Sequence, residues 1–452
     1  MAKGATWQNW PAICSNMKKK VAFHTLGCKL NFSETSEIGR QLEDSGFERV
    51  PFGTHADITV IHTCSVTGSA DRKTKQAIHK AIQVSPDSFI VAMGCYAQLK
   101  PEEIASWKGV DLVLGTNDKF DLIKYLDDIT KKGHAEVHSC EIIEDQKFFP
   151  AHSTAERTRA FLKVQDGCDY PCTYCTIPKA RGKSRNPEII SIVSQAVELA
   201  SKGLQEIVLT GVNIGDFGKS TGETFTGLAK KLDAVSGILR FRISSIEPNL
   251  ITDELIEFVA GSKRFAPHFH IPLQSGSDKI LKLMKRRYLT SIFADRVFKI
   301  KEMMPDACIG ADVIVGFPGE TNDDFLEVCQ FIRSLPLSYL HVFTYSERPG
   351  TPAATMTGKV QNRIRDERSH QLHAIGTDLK KGFYISQINK ERVVIFEQQR
   401  SDGTMTGFTE NYVEVMVKYQ PGFLHKASLV ILSGPENNGL LQAALISTNP
   451  LP

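Results

Sequence analysis

Apolar and polar positions alternate along this chain in three textures. Between Val21 and Leu126, short apolar runs give way to helical patterns: residues 21–26 then 33–46, 58–62 then 69–82, and 89–93 then 101–107. That alternation predicts βαβ units and a parallel sheet. From Arg159 to Arg348 it resumes with six strand-like runs, at 161–165, 206–210, 241–245, 268–273, 311–317 and 339–345. Helical patterns at 187–202, 227–235, 252–260, 277–287 and 322–335 separate them, and a last one follows Arg363. Asn186, Thr252 and Ser277 stand where caps belong, the latter two just ahead of acidic residues. Six successive strand–helix units predict a parallel barrel, full or partial, with its chemistry at the carboxyl ends of the strands. Beyond Glu391 the pattern shortens to runs at 393–397, 404–409, 413–417 and 429–433, with a weaker one at 440–446 and turns at Asp402-Gly403 and Asn437-Asn438-Gly439. This predicts a small β-barrel. Residues 131–159 mix charges, His, Ser and Pro with weak periodicity and read as a connector, in which Phe148-Phe149-Pro150 is expected to pack between domains.

The expected organisation is therefore α/β overall. It comprises an N-terminal parallel α/β domain (20–130), a linker (131–158), a central partial (β/α)6 barrel (159–385) and a small all-β C-terminal barrel (386–449). A length of 452 residues suits about three domains. Hydrophobic content of 41% and charged content of 23% are those of an ordinary globular protein. A net charge of +3 does not by itself argue for nucleic acid. One basic stretch does bear on it: Arg363, Arg365, Arg368, Lys380, Lys381, Lys390 and Arg392 suit either a solvated helix face or RNA backbone contact. Met1 to Lys20 lacks an apolar core and ends in Lys18-Lys19-Lys20, unlike a secretory signal, and Met17 is an alternative start. No apolar run is long enough to span a bilayer, so the expected location is cytoplasmic and no membrane partner is expected.

Ten cysteines in such a chain suggest metal chemistry in a reducing compartment. Three of them share one loop, Gly167-Cys-Asp-Tyr-Pro-Cys-Thr-Tyr-Cys175, after the first strand of the central barrel. The spacing is C-x₃-C-x₂-C, with no fourth cysteine nearby. A cubane iron–sulfur cluster is usually held by four thiolates, so three leave one iron open. Open coordination marks a catalytic metal site. A zinc site would need a further ligand, and the nearest histidine, His152, lies upstream; a disulfide loop fits poorly with the reducing context.

A second triplet is more dispersed. Cys28, Cys64 and Cys95 each end or follow one of the first three predicted strands, beside Gly27, Ser65 and Gly94. Ligand sites of open parallel sheets lie at that edge. The alternative is three buried free thiols, which are common in cores. Cys14, Cys140, Cys308 and Cys329 lack matched placement and read as structural. In the central barrel, polar strand ends offer Asn213, Ser244, Ser245 and Gln274 as partners for a cofactor's polar groups.

The loop, with Tyr174 before its last cysteine, resembles the radical S-adenosylmethionine superfamily. That resemblance implies that the open iron chelates S-adenosylmethionine and that one electron cleaves the sulfonium to a 5′-deoxyadenosyl radical. Thr25-Leu-Gly-Cys-Lys-Leu-Asn31, His62-Thr-Cys-Ser-Val-Thr67 and Gly94-Cys-Tyr-Ala-Gln98 resemble the cysteine motifs of one branch, the radical SAM methylthiotransferases. Ile177-Pro178 and Arg181-Gly182 after the loop extend the likeness, and the C-terminal barrel resembles a TRAM domain. The resemblance spans nearly the whole chain. It implies two [4Fe–4S] clusters: one on Cys168, Cys172 and Cys175 that cleaves S-adenosylmethionine, and an auxiliary one on Cys28, Cys64 and Cys95 that handles sulfur. It further implies a tRNA partner bound at its anticodon stem-loop, an external electron donor, and a sulfur donor that the sequence does not identify. Lys29 after the first cysteine resembles the branch acting on N6-threonylcarbamoyladenosine 37 of tRNA. Action on isopentenyladenosine 37, or on a ribosomal-protein aspartate, is the alternative within the family. An RNA-binding protein with structural clusters is the alternative outside enzymes. His62 stands where asparagine is common in these motifs, and Tyr174 where phenylalanine is frequent.

Overall fold

The computed structural model describes residues 18–65, 68–139, 142, 147–153, 158–435, 439–446 and 449–451. Cys14, Cys140, Met17, Asn437 and Asn438 lie outside them.

The first unit contains β1 (Lys20–Thr25), α1 (Lys29–Asp44), β2 (Glu48–Val50), β3 (Ile58–Thr63), α2 (Gly68–Val84), β4 (Phe89–Gly94), α3 (Cys95–Leu99), α4 (Pro101–Ala105), β5 (Leu112–Leu114) and β6 (Glu136–His138). Its strands form one sheet in the order β2-β1-β3-β4-β5-β6, every pairing parallel. β3 and β4 are buried along their whole length, as apolar runs covered on both faces should be. β6 falls within the range read as a connector and extends this sheet.

The barrel follows as β7 (Arg159–Lys163), α5 (Ile177–Arg181), α6 (Ile189–Ser201), β8 (Glu206–Thr210), α7 (Phe225–Asp233), β9 (Arg240–Ile243), α8 (Asp253–Gly261), β10 (His268–Gln274), α9 (Asp278–Leu283), α10 (Thr290–Met303), β11 (Cys308–Val315), α11 (Asn322–Ser334), β12 (Tyr339–Thr344) and α12 (Asn362–Ile385). The six strands pair in parallel as two ladders, β7-β8-β9 and β10-β11-β12. Isolated bridges from Phe241 to Phe265 and from Ser245 to His270 join them. The result is a partial barrel, with its core among Leu162, Leu209, Phe241, Phe269, Ile271 and Val313.

Thr252 caps α8 by accepting from the Leu255 N–H at 3.1 Å. Of the two other expected caps, Asn186 lies outside its helix and Ser277 holds the N-cap position without a capping side-chain bond. α6 begins after Glu188, and Asn186 instead accepts from the Gly218 N–H at 2.9 Å, pinning a loop. Ser277 precedes α9 but turns its hydroxyl to Asp324 at 3.3 Å.

The last unit contains β13 (Glu391–Gln399), β14 (Thr404–Thr409), β15 (Glu414–Lys418), β16 (Ala427–Pro435) and β17 (Leu441–Leu445). They close into a barrel in the order β13-β14-β15-β17-β16. Closure leaves no edge strand exposed.

Cys308 and Cys329 are core residues, as expected. Phe149 stacks on Phe120 at 4.4 Å between centroids, while Phe148 lies under the Lys163 ammonium at 5.2 Å. These rings do join the first sheet to the barrel. The basic stretch resolves mostly as structure. Arg365 and Arg368 are buried, and Arg368 pairs with Glu320 at 2.5 Å. Arg392 and Lys390 both pair with Asp306, and Arg363 with Glu367.

Candidate active site

Each N-terminal cysteine sits just beyond a strand. Cys28 follows β1 and precedes α1, Cys64 follows β3, and Cys95 opens α3 directly after β4. β1 pairs with β3 and β3 with β4, so the three thiols come to one sheet edge. The approach is tight. Gly27 has φ of 102°, and a Cβ there would lie 2.8 Å from Cys64 Cβ and 2.9 Å from its Sγ. Only glycine tolerates both the dihedral and the contact.

Cys168, Cys172 and Cys175 lie in the loop between β7 and α5. Gly167, at φ 71°, opens it, and a Cβ there would collide with the Lys183 carbonyl oxygen at 1.9 Å. N–H groups converge on the sulfurs. The Tyr170 N–H lies 3.4 Å from Cys168 Sγ, the Ile177 N–H 3.4 Å from Cys175 Sγ, and Arg286 Nη1 3.0 Å from Cys172 Sγ. Burial pushes the Cys168 and Cys175 thiols up to about 12 and raises Cys172 as well. Such thiols become thiolates only when a metal takes the place of the proton.

The predicted polar strand ends surround this loop's side of the barrel. Asn213 donates from Nδ2 to Asp216 at 3.0 Å, while its buried Oδ1 has no partner. Ser244 is buried with an unpartnered hydroxyl, and Ser245 bridges to His270. Gln274 ends β10 at φ 64° and, with Tyr174, Asp312, Ile314, Phe343 and Tyr345, lines a cavity of about 200 Å³. Orphaned buried polar atoms normally find partners. These atoms and the two thiol triplets fit a polar cofactor and metal clusters.

Glu34, Asp166, Lys119 and Lys163 carry no local sequence signal, and Arg181 stands out only as part of the Arg181-Gly182 pair. Arg181, the last residue of α5, uses all five of its N–H donors. Nε reaches Cys95 Sγ at 3.3 Å, Nη1 reaches Glu34 and Asp166 at 3.0 Å each, and Nη2 reaches Asn31 at 2.7 Å and Glu34 at 3.0 Å. Glu34 also receives Lys119 at 2.6 Å and Lys163 at 2.9 Å, and Asp166 receives Lys163 at 2.7 Å and Arg185 at 3.1 Å. Burial alone would raise Glu34, but these cations hold it well below the usual carboxylate range. The one available clue is an acid at 34 on the α1 face that also carries Leu30, Ile38 and Leu42.

Across the barrel, His270 Nε2 lies 2.8 Å and His341 Nδ1 3.3 Å from Asp312 Oδ1. Burial opposes ionisation of Asp312, yet the two imidazoles hold its carboxyl well below the usual range. Tyr339 OH lies 3.0 Å from both His268 Nε2 and His270 Nδ1. Cys28 and Lys29 are open to solvent, yet protein encloses them closely enough that burial is the largest influence on both. It raises the Cys28 thiol; burial, with Arg242 and Arg159, lowers Lys29 to about 8. Glu206 and Asp312 act on the Lys29 ammonium in the opposite sense, so it stands within reach of charges from the barrel strands. Lys29 has no hydrogen bond or ion pair among the described residues.

A parallel partial barrel with a cysteine-triplet loop after its first strand, joined to a sheet edge bearing a second triplet, defines a radical SAM protein of the methylthiotransferase class. Residues 162–332 match the radical SAM superfamily and residues 20–115 match uncharacterized protein family UPF0004. The chain is 42% identical to threonylcarbamoyladenosine tRNA methylthiotransferase MtaB of Bacillus subtilis, over 93% of this chain and 95% of that one. It is 39% identical to the MtaB of Aquifex aeolicus, over 88% and 96%. With a tRNA-2-methylthio-N(6)-dimethylallyladenosine synthase of Saccharopolyspora erythraea it shares 34% over 79% and 74%. The chain belongs to the MtaB family of threonylcarbamoyladenosine tRNA methylthiotransferases. Enzymes of this family use S-adenosylmethionine and [4Fe–4S] clusters. The fold is also that of the radical S-adenosylmethionine methyltransferase TsrM of Kitasatospora setae, at a TM-score of 0.57 and 13% identity over 75% of each chain.

Proposed function

We propose that this protein methylthiolates C2 of N6-threonylcarbamoyladenosine 37 in tRNA, on the anticodon stem-loop. Arg181 carries the reading: one side chain touches Cys95 at the N-terminal triplet while its backbone continues from the radical loop. Two thiol sites so joined suit two reactions on one substrate. Cys168, Cys172 and Cys175 would hold one [4Fe–4S] cluster, and Cys28, Cys64 and Cys95 the other. When bound, these groups supply a radical from S-adenosylmethionine and a sulfur to insert, chemistry that side chains lack.

The chain's own residues bind and orient. Asn213, Ser244, Ser245 and Gln274 offer polar atoms to S-adenosylmethionine. Arg286 donates to Cys172 Sγ and pairs with Glu247, fixing the loop from the far side of the barrel. The apolar faces of Tyr174, Ile314, Phe343 and Tyr345 exclude water from the cavity between the strand ends. Lys29, exposed beside Cys28 and without an ion-pair partner among the described residues, suits the carboxylate of a threonylcarbamoyl group. An isopentenyl group offers it no charge to meet. Asp312, whose Oδ1 is held by His270 and His341, has its second carboxylate oxygen to offer the ureido N–H groups.

We place the domains at the boundaries expected from the sequence, except that β6 carries the first one into the 131–158 linker, and residues 386–449 would serve as a TRAM-like RNA contact. The protein works in the cytoplasm, where thiols stay reduced, with an external electron donor. No helix among the described residues is long and apolar enough to cross a membrane. Nucleoside mass spectrometry of tRNA from a deletion strain tests the substrate. The methylthio group should vanish from threonylcarbamoyladenosine while the isopentenyl product persists; the opposite pattern refutes the assignment.

A further inference from the structure

The network around Arg181 holds more positive than negative charge. Lys119, Lys163, Arg181 and Arg185 face only Glu34 and Asp166 within it, and all six side chains are buried. An uncompensated buried cation is costly, so such an excess needs an anionic partner. The nearest candidate is the N-terminal thiol triplet, whose Cys95 Sγ takes the Arg181 Nε–H at 3.3 Å. The network also spans the joint between the units. Asn31, Glu34 and Lys119 come from the first, and Lys163, Asp166, Arg181 and Arg185 from the barrel.

We propose that Arg181, through this network, is a positioning residue that locks the radical loop to the N-terminal cysteine site and raises the electron affinity of the cluster held there. The inference rests on the reading that Cys28, Cys64 and Cys95 carry a cluster. A cation beside a cluster stabilises the state that has gained an electron. Guanidinium is suited to the task because it stays charged when buried and its fork fixes two carboxylates and a cysteine sulfur at once. Arg181 also fills the joint, so its loss loosens the loop as well as the charge.

The test uses the full-length chain with Cys168→Ala, Cys172→Ala and Cys175→Ala, reconstituted anaerobically with ferrous iron and sulfide, so that only the N-terminal site can hold a cluster. Dithionite supplies one electron per cluster, and electron paramagnetic resonance follows the midpoint. Arg181→Met should lower the one-electron reduction constant about tenfold, a shift of ~59 mV. Lys119→Met, which removes a charge without touching a cysteine, should shift the midpoint the same way. Glu34→Gln should shift it the opposite way, and Arg181→Lys should recover most of the loss. Midpoints that coincide across these variants, in protein that retains its iron, overturn the inference while leaving the cluster reading intact. A parent that takes up no iron at the N-terminal site overturns that reading and the inference with it. Should Arg181→Met fail to fold, the signs of Lys119→Met and Glu34→Gln decide.

Discussion

Replacing Glu206 by Gln should loosen the C-terminal barrel from the rest of the molecule. Glu206 on β8 is buried and takes Arg240 Nε at 2.6 Å and Arg242 Nε at 3.0 Å. Those guanidiniums then reach into the C-terminal barrel. Arg240 donates to the Val393 and Phe408 carbonyls at 3.4 Å each, and Arg242 to the Glu410 and Thr409 carbonyls at 3.1 and 3.3 Å. Burial alone would raise Glu206, but Arg240, Arg242 and Arg159 outweigh it and hold the carboxyl down to about 2, from an ordinary 4.5. At 1.36 kcal/mol per unit, that difference is ~3 kcal/mol of stability at neutral pH. Breaking a buried pair by removing one partner costs about the same, 3–5 kcal/mol. Because the folded value is depressed, the contribution is complete above pH ~4.5 and is lost as pH falls toward about 2. Urea unfolding of the parent and Glu206→Gln, with limited proteolysis to detect release of the C-terminal barrel, measures it. The gap between the two proteins should hold constant above pH ~5 and close below it. Equal urea midpoints at pH 7, with equal protection of the barrel, would refute the reasoning.

Gly27→Ala forces a Cβ into Cys64 at 2.8 Å, so the reconstituted protein should lose the iron of one cluster while keeping that of the other; full iron content would contradict the packing. Lys29→Met should weaken binding of a threonylcarbamoylated anticodon stem-loop about tenfold, the loss of one charge-assisted hydrogen bond, and leave an unmodified stem-loop unaffected. Fluorescence anisotropy with both RNAs checks it. Arg286→Met removes the donor 3.0 Å from Cys172 Sγ and should cut 5′-deoxyadenosine formation about tenfold, with the N-terminal cluster retained in the visible spectrum.

Much of this was legible where local pattern and packing agree. The runs at 206–210 and 404–409 become β8 and β14 with the same limits, since an apolar run bounded by turns has little freedom. β2, β5 and β6 are three residues each, too short to carry a period, and exist because a parallel neighbour pairs with them. α10 went unpredicted: its buried Phe293, Val297 and Ile300 are interleaved with exposed Ile292 and Phe298, which blurs the stripe. Spacing marked the loop triplet, and placement after three successive strands marked the other. The ion network did not announce itself, because Arg181 and Glu34 are 147 residues apart and only the joint between two units brings them together. The basic stretch looked like one surface feature, yet Arg365 and Arg368 turned inward to carboxylate and carbonyl partners that a sequence does not show.

The most direct measurement incubates the reconstituted protein anaerobically with S-adenosylmethionine, a sulfur source, a reductant and two anticodon stem-loops, one carrying threonylcarbamoyladenosine and one isopentenyladenosine. Nucleoside mass spectrometry should find 2-methylthio product only from the first, and none from either with Cys28→Ala. Product from the isopentenylated stem-loop alone, or undiminished product from Cys28→Ala, would contradict the reading of this protein.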